Sequence, residues 1–427
     1  MHPLNEPLIR DGKFWLPDDP GRNCFGQLTF DPISGVDLKL FGSLRSFPQS
    51  VSDPDIPNGV IHGHLESGKP VSLFGAFRKG HHLTLGTGFP TEMYSANLAA
   101  IGVHARDLEQ KLFDSANFAV GGLEVWLERD WYPRRSVARD PLVFSLETQP
   151  PRKDTIAKSR QRSIILNRYN SIEDERNGRI TVTPKSDLTI ESPRPRSITW
   201  YLQESQMMVS FLSFCVAQLT AVQFVSLNYR SGSNPSTLTE VEIIYRRIDN
   251  IKIDANKRPL APASTFADVR QTLKSWADLY WDSESAIGLI HEVQSDHLQH
   301  VNVRFLLAVQ AAESFHREVY SPVNKTLRLR IDDLVLRVRN VIGYTPKGLN
   351  ETFRSKTVRT RNYYTHFSSK SGKIFDSVEM YWASQRLAVV VIILALNQVG
   401  VVSSTIRKQL ASRDDISRIL RAPGVPF

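Results

Sequence analysis

At 427 residues the chain is longer than a single hydrophobic core usually grows, so roughly two to three domains of about 100–200 residues are expected. With 41% apolar and 23% charged residues and no excess of Gly or Pro, the composition excludes a fibrous or largely disordered chain. The formal net charge of +9 suits a polyanionic partner, because Lys and Arg that neutralise phosphates release condensed counterions. Two cysteines, Cys24 and Cys215, are too few for a disulfide framework or a four-thiolate zinc site. Cys215 reads as a buried free thiol, and the usage fits a reducing cytoplasm.

The opening "MHPLNEPLIRDGKFW" lacks the basic-then-apolar layout of a signal peptide, so export is not expected. From about residue 11 to 130 the pattern is strand-like. In "QLTFDPISGVDLKLFGSL", Leu28 and Phe30 alternate before the turn "DPISG", and Val36, Leu38 and Leu40 alternate after it, which predicts a β-hairpin. A second hairpin is predicted in "GVIHGHLESGKPVSLFGAF", turning at "ESGK". Phe118, Val120, Leu123, Val125 and Leu127 predict a further extended run. Residues 131 to 197, with "YPRRSVARDP", "QPPRKDTIAKSRQR" and "SPRPRS", read as loops, edge strands or connectors.

A helix is predicted from Thr199, with Leu202, Met207, Val209, Phe211 and Phe214 apolar and no Pro or Gly to interrupt it. Two strands around a polar turn follow in "AVQFVSLNYRSGSNPSTLTEVEIIYRRI". The β-rich unit is expected to run to about residue 285, and residues 286–427 to form an all-α domain of four or more helices. There Phe305, Ala308, Ala312, Phe315 and Val319 recur at helical spacing, as do Leu327, Ile331, Leu334 and Val338. Asp376 and Glu379 read as a capping box opening an apolar helix through Met380, Leu387, Val391 and Leu394. Its "LAVVVIILAL" run falls short of the ~20 residues that cross a bilayer, so no membrane partner is expected. A last short helix is predicted at "STIRKQLASR". The fold class is α+β.

Between Lys347 and Lys373 there are seven Lys or Arg and one acid, Glu351, a local excess of +6. A basic segment with Tyr363 and Tyr364 interleaved suits a phosphate backbone and unpaired bases. It equally suits a solvated helix face with the tyrosines in the core. Within it lies "RNYYTH". Cleaving RNA without a metal needs a group that moves a proton at neutral pH, and histidine, with an unperturbed pKa of about 6.5, is suited to it. It also needs fixed positive charge at the phosphorus centre, which a guanidinium supplies. On an ideal helix Arg361 and His366, five apart, are rotated by about 140°, whereas Asn362 and His366 share a face. The arginine has to reach round, or the helix has to begin or bend here.

"RNYYTH" resembles the R-x4-6-H signature of the HEPN superfamily, with the usual polar residue after the arginine. "RFLLAVQAAESFHRE", "RTRNYYTH" and the apolar helix after them resemble the HEPN domain of ApeA-like antiphage proteins. "GQLTFDPISGVDLKLFGSL", "IHGHLESGKPVSLFGAF", "MYSANLAAIGVHA" and "VGGLEVWLE" resemble the β-rich N-terminal domain of that family. The resemblance implies an endoribonuclease of abortive infection, with Arg361, Asn362 and His366 catalytic. It implies a homo-oligomer, at least a dimer through the HEPN domain, since paired motifs build one site. RNA, whether tRNA or another cellular RNA, is the implied substrate, a phage-derived component the implied trigger, and the N-terminal domain the implied sensor or restraint. Arg354, Lys356, Arg359, Tyr363, Tyr364 and Lys370 are the expected RNA contacts, and Glu313 a supporting residue. No cofactor and no metal are expected. The competing reading is a non-catalytic RNA-binding or sensor protein that uses the bundle for dimerisation.

Other candidates carry less. His62, His64, His81, His82 and His104 lack metal-ligand spacing. His297 and His300, and the single E-x-x-H of Glu313 and His316, read as helix-face residues, because a di-iron bundle needs two such elements and two further carboxylates. No phosphate-binding loop and no G-x-S-x-G are present.

Overall fold

In the computed structural model of the chain, the described residues are 2–45, 56–82, 90–128, 134–139, 142–148, 150–175, 179–230, 237–246, 251, 253–295, 298–366 and 374–421. The strands in chain order are β1 (Leu8–Leu16), β2 (Asp19–Asp31), β3 (Gly35–Leu40), β4 (Val60–Leu65), β5 (Pro70–Phe74), β6 (Phe77–His82), β7 (Thr91–Ala96) and β8 (Leu98–Ile101). They continue with β9 (Phe113–Val120), β10 (Arg134–Arg139), β11 (Leu142–Glu147), β12 (Arg152–Lys158), β13 (Ser163–Glu175), β14 (Arg179–Arg196), β15 (Val222–Arg230) and β16 (Leu238–Tyr245). Helix α1 (Ile198–Val216) falls between β14 and β15. After β16 come α2 (Val269–Asp282), α3 (Glu284–Gln294), α4 (Val301–Phe315), α5 (Leu327–Ile342), α6 (Glu351–His366), α7 (Ser377–Gln398), α8 (Ser403–Ala411) and α9 (Asp414–Arg421).

Fourteen strands form one antiparallel sheet in the order β12-β13-β14-β9-β15-β16-β8-β5-β4-β1-β2-β3-β7-β6, and β10 and β11 pair separately. Both hairpins stand where alternation places them. Leu28 opposes Leu38 and Phe30 opposes Val36, and all four are buried. β4 and β5 pair around the "ESGK" turn. The sheet curls over on itself, since β3 approaches β8 and β16, which are far from it in ladder order.

Two stretches depart from expectation. The extended run ends at Val120, because Gly122 takes a φ of 85° and turns the chain into a helical turn over Leu123–Trp126; a positive φ is open to glycine without steric cost. The Pro-rich, charged region read as loops, edge strands or connectors does hold the edge strand β12, but also the long inner strands β13 and β14, paired from Ser163 opposite Glu191 to Glu175 opposite Arg179. Among the described residues the buried apolar positions of this ribbon are Ile164, Leu166, Leu188 and Ile190. Hydrophobic alternation is therefore absent from most of its length.

Helix α1 is buried on most sides, and the Tyr201 hydroxyl donates to the Phe113 carbonyl at 3.2 Å. The helical part of the chain starts with α2, whose Trp276 Nε1 donates to the Met207 carbonyl of α1 at 3.1 Å. At the other end of α1, Arg413 Nη1 donates to the carbonyls of Val216 at 3.0 Å and Arg258 at 2.6 Å. Sheet and bundle share one continuous apolar core. Within it α7, the one helix among the described residues long and apolar enough to span a membrane, packs against α4 and α5. The Asp376–Glu379 capping box that opens α7 is formed. Three helices, α2, α3 and α9, lie beyond those named from the sequence, and α2 falls before residue 285, within the stretch expected to be β-rich.

Candidate active site

Helix α6 carries the motif on its last turns. Asn350 Oδ1 accepts the Phe353 N–H at 2.9 Å, satisfying a donor that the first turn leaves free. Phe353, Thr357 and Thr360, spaced four and three apart, form the buried face. Tyr364 continues it, half-buried against the same core. Thr360 Oγ1 accepts the Phe375 N–H at 2.9 Å, which ties the helix to the segment entering α7. On the opposite side Arg359, Asn362 and His366, three and four apart, form an exposed stripe.

The motif lies inside one unbroken helix, so Arg361 reaches round instead. Its Nη1 donates to Asn362 Oδ1 at 3.2 Å. Asn362 shares a face with His366, so this bond draws the guanidinium toward the histidine's side of the helix. Thr365 Oγ1 donates to the Arg361 carbonyl at 2.9 Å. Tyr363 and Tyr364 meet edge to face with centroids 5.1 Å apart. Among the described residues His366 has no hydrogen-bond partner, and Lys370 lies outside them.

The basic residues of this segment divide into two groups. Arg354 Nη1 donates to Asp332 Oδ1 at 2.8 Å and pairs with Glu351 at 2.9 Å. Arg328 of α5 binds Asp332 at 2.8 Å, both oxygens of Glu351 at 2.6 Å, and Ser355 at 2.7 Å. Beside Arg328 the Glu351 carboxyl is held below the usual carboxylate range. Lys356 Nζ donates to Glu379 Oε1 at 2.6 Å, from α6 to the capping box of α7. Arg354 and Lys356 thus fasten α6 to its neighbours, whereas Arg359 has no ion-pair partner among the described residues and sits in the stripe with His366. Glu313 pairs with Arg317 at 3.0 Å, one turn along.

His316 corrects the helix-face reading. Helix α4 gives way to a π turn over His316–Tyr320, and there His316 is fully buried. Its Nδ1 faces Arg330 Nη1 at 2.9 Å and its Nε2 faces Asp333 Oδ2 at 2.8 Å. Arg330 is also buried and donates to the carbonyls of Ser321 and Val323 at 3.1 and 2.9 Å. Nothing in the sequence spacing announced this cluster, because its members stand on either side of an irregular turn. His300 is likewise not on a helix face: it has extended backbone at the start of α4, and His297 lies outside the described residues. His62 and His64 of β4 meet His104, which follows β8, with ring centroids 4.8 and 4.9 Å from it, the Nε2 atoms of His62 and His104 donating to backbone carbonyls at 3.0 and 2.8 Å. Among the described residues no group of three His, Cys, Asp or Glu has an arrangement that would hold a metal ion.

The model of ApeA N-terminal domain 1 matches residues 10–276, and that of the Apea-like HEPN domain matches residues 306–405. The chain belongs to the ApeA family. Its HEPN match begins in α4, ends in α8 and contains Arg361, Asn362 and His366. At family level this makes it an ApeA-type, HEPN-containing nuclease of antiphage defence. No curated protein and no solved structure matches the chain.

Proposed function

We propose that this ApeA-family chain is an endoribonuclease that cuts RNA by attack of a ribose 2′-OH on the adjacent phosphate. The observation that carries the reading is the exposed stripe of Arg359, Asn362 and His366 on α6, with the Arg361 guanidinium turned onto Asn362. His366 takes the proton from the 2′-OH or gives one to the leaving oxygen. Arg361 stabilises the charge that builds on the phosphorane, and Asn362 holds the guanidinium and the scissile phosphate in register. Arg359 and Tyr363 contact the flanking strand. The chemistry uses side chains alone and asks for no cofactor. One motif per chain supplies half of a composite site, so the working form is a homodimer or a larger assembly in the cytoplasm, held quiet by the sheet domain until a phage component arrives.

The test is incubation of purified full-length protein with cellular RNA in EDTA, with the new ends mapped. Ends carrying 2′,3′-cyclic phosphate are expected, together with loss of cutting in Arg361→Ala and in His366→Ala while fold and assembly persist. Unchanged cleavage in either variant would sink the assignment. Equal binding without cutting in wild type and His366→Ala would favour a non-catalytic RNA-binding protein.

A further inference from the structure

At the opposite end of α6 from the motif lies a cleft of about 690 Å³ between the turn at residues 344–349 and α9. Lys347, Arg418 and Arg421 line it, with Asp414 the one acid in the wall and Tyr344 and Ser417 beside them. Arg418 and Arg421, three apart on α9, share a helix face. None of the three cations has an ion-pair partner among the described residues, unlike Arg354, Arg328 and Lys356 of the same bundle. Like charges lining one cleft repel one another, a cost that a bound anion lowers. The Tyr344 side chain is 39% exposed, which leaves a ring for a base to stack on.

The cleft is built by close packing. Gly348 lets the turn press onto α9, since a Cβ there would stand 2.7 Å from both the Leu420 carbonyl oxygen and Arg386 Nε. Arg386 is itself buried and its Nε donates to the Ile419 carbonyl at 2.9 Å. Together these contacts fix the end of α9, and with it Arg418 and Arg421, against the turn that carries Lys347.

We propose that this cleft binds a phosphate-bearing nucleoside, with Lys347, Arg418 and Arg421 on the phosphates and Tyr344 under the base. Its source is either a stretch of the RNA strand remote from the cut or a free nucleotide. The RNA source rests on the ribonuclease reading; the free-nucleotide source does not. Helix α6 starts at Glu351 beside the cleft, which puts Arg361 and His366 about 15 and 22 Å along it. That is too far for the cleft's cations to touch the reacting phosphate on the same chain.

The experiment uses full-length protein in a His366→Ala background, so that RNA is not consumed, with and without Arg418→Gln and Arg421→Gln together. Two probes are titrated: a short fluorescein-labelled oligoribonucleotide by anisotropy and ATP by calorimetry. The double variant is expected to bind at least one probe about tenfold more weakly. Weakening of RNA alone assigns the strand, of ATP alone the free nucleotide, and of both a site that accepts either. Lys347→Gln, on a different element, should weaken the same probe, and it decides the matter if circular dichroism shows the double variant misfolded. Unchanged affinity for both probes in a folded variant, or no affinity in the parent, overturns the proposal. If the chain with His366 intact cuts no RNA while these variants lose ATP, the ribonuclease reading is rejected and this one is kept.

Discussion

Arg330 Nη1 donates to His316 Nδ1 at 2.9 Å, and because a guanidinium can only donate, the ring is held as the neutral tautomer that gives its Nε2–H to Asp333. Burial lowers the His316 pKa more than Asp333 raises it. The folded state therefore binds its proton at lower pH than the unfolded chain. The resulting stability is complete above about pH 6.5 and is lost as pH falls below it. Thermal midpoints measured from pH 8 to pH 5 should fall on the acid side, and a flat profile would contradict the assigned tautomer.

Removing the ring should cost more than lost packing. His316→Ala leaves buried Arg330 short of an acceptor, and a loss of about 3 kcal/mol is expected in denaturant unfolding. Asp333→Asn should cost less, since its amide oxygen can still accept from Nε2. Equal losses would show that the cluster acts through packing alone.

His291 offers a second acid-sensitive site with no partner to offset it. Its Nε2 is buried without a hydrogen bond, and desolvation lowers its pKa to about 4. A depressed value again means stability present above about pH 6.5 and lost on acidification, by about 2 kcal/mol at pH 5. His291→Leu should narrow the stability difference between pH 8 and pH 5, measured by urea denaturation. An undiminished difference would place the titration elsewhere.

The cations of α6 should separate by their roles. Lys356→Ala breaks the 2.6 Å bond to Glu379 and should cost about 1–2 kcal/mol of stability while leaving the salt dependence of RNA binding unchanged. Arg359→Ala should do the reverse, flattening the log–log salt slope by about 0.7 for one lost phosphate contact. The opposite pattern would move the strand to the other side of the helix.

Arg361→Lys tests the guanidinium as a directed donor. A lysine keeps the charge but not the planar fork that meets Asn362 Oδ1. Cleavage should drop about 100-fold, close to the loss in Arg361→Ala. Near-normal rates would reduce the arginine to a point charge.

What could be read from the sequence followed from how local the physics was. The hairpin of Leu28 against Leu38 rests on alternation within a few residues, and the Asp376–Glu379 cap on a spacing of three, so both were legible. Strands β13 and β14 were not, because most of their length has no buried face to write an apolar period. The Asn362–His366 stripe follows from helical spacing, but the turn of Arg361 onto Asn362 is a rotamer choice. The His316, Arg330 and Asp333 cluster needed the π turn, which shifts the histidine off the face its spacing implies. The cleft of Lys347, Arg418 and Arg421 joins residues about 70 apart in the chain, beyond any local pattern.

Helix α6 is fastened along its first half by Arg328, Arg354 and Lys356, while its last turn stands free of ion pairs among the described residues. Mechanically it is a clamped beam whose free arm is the stretch beyond Thr360, about 9 Å long, with His366 at its tip. A tilt of about seven degrees of that arm carries the tip through about 1 Å, the displacement that costs 100-fold in a positioned reaction. Whatever presses on this last turn can therefore make the difference between an idle and a working histidine without moving the clamped half.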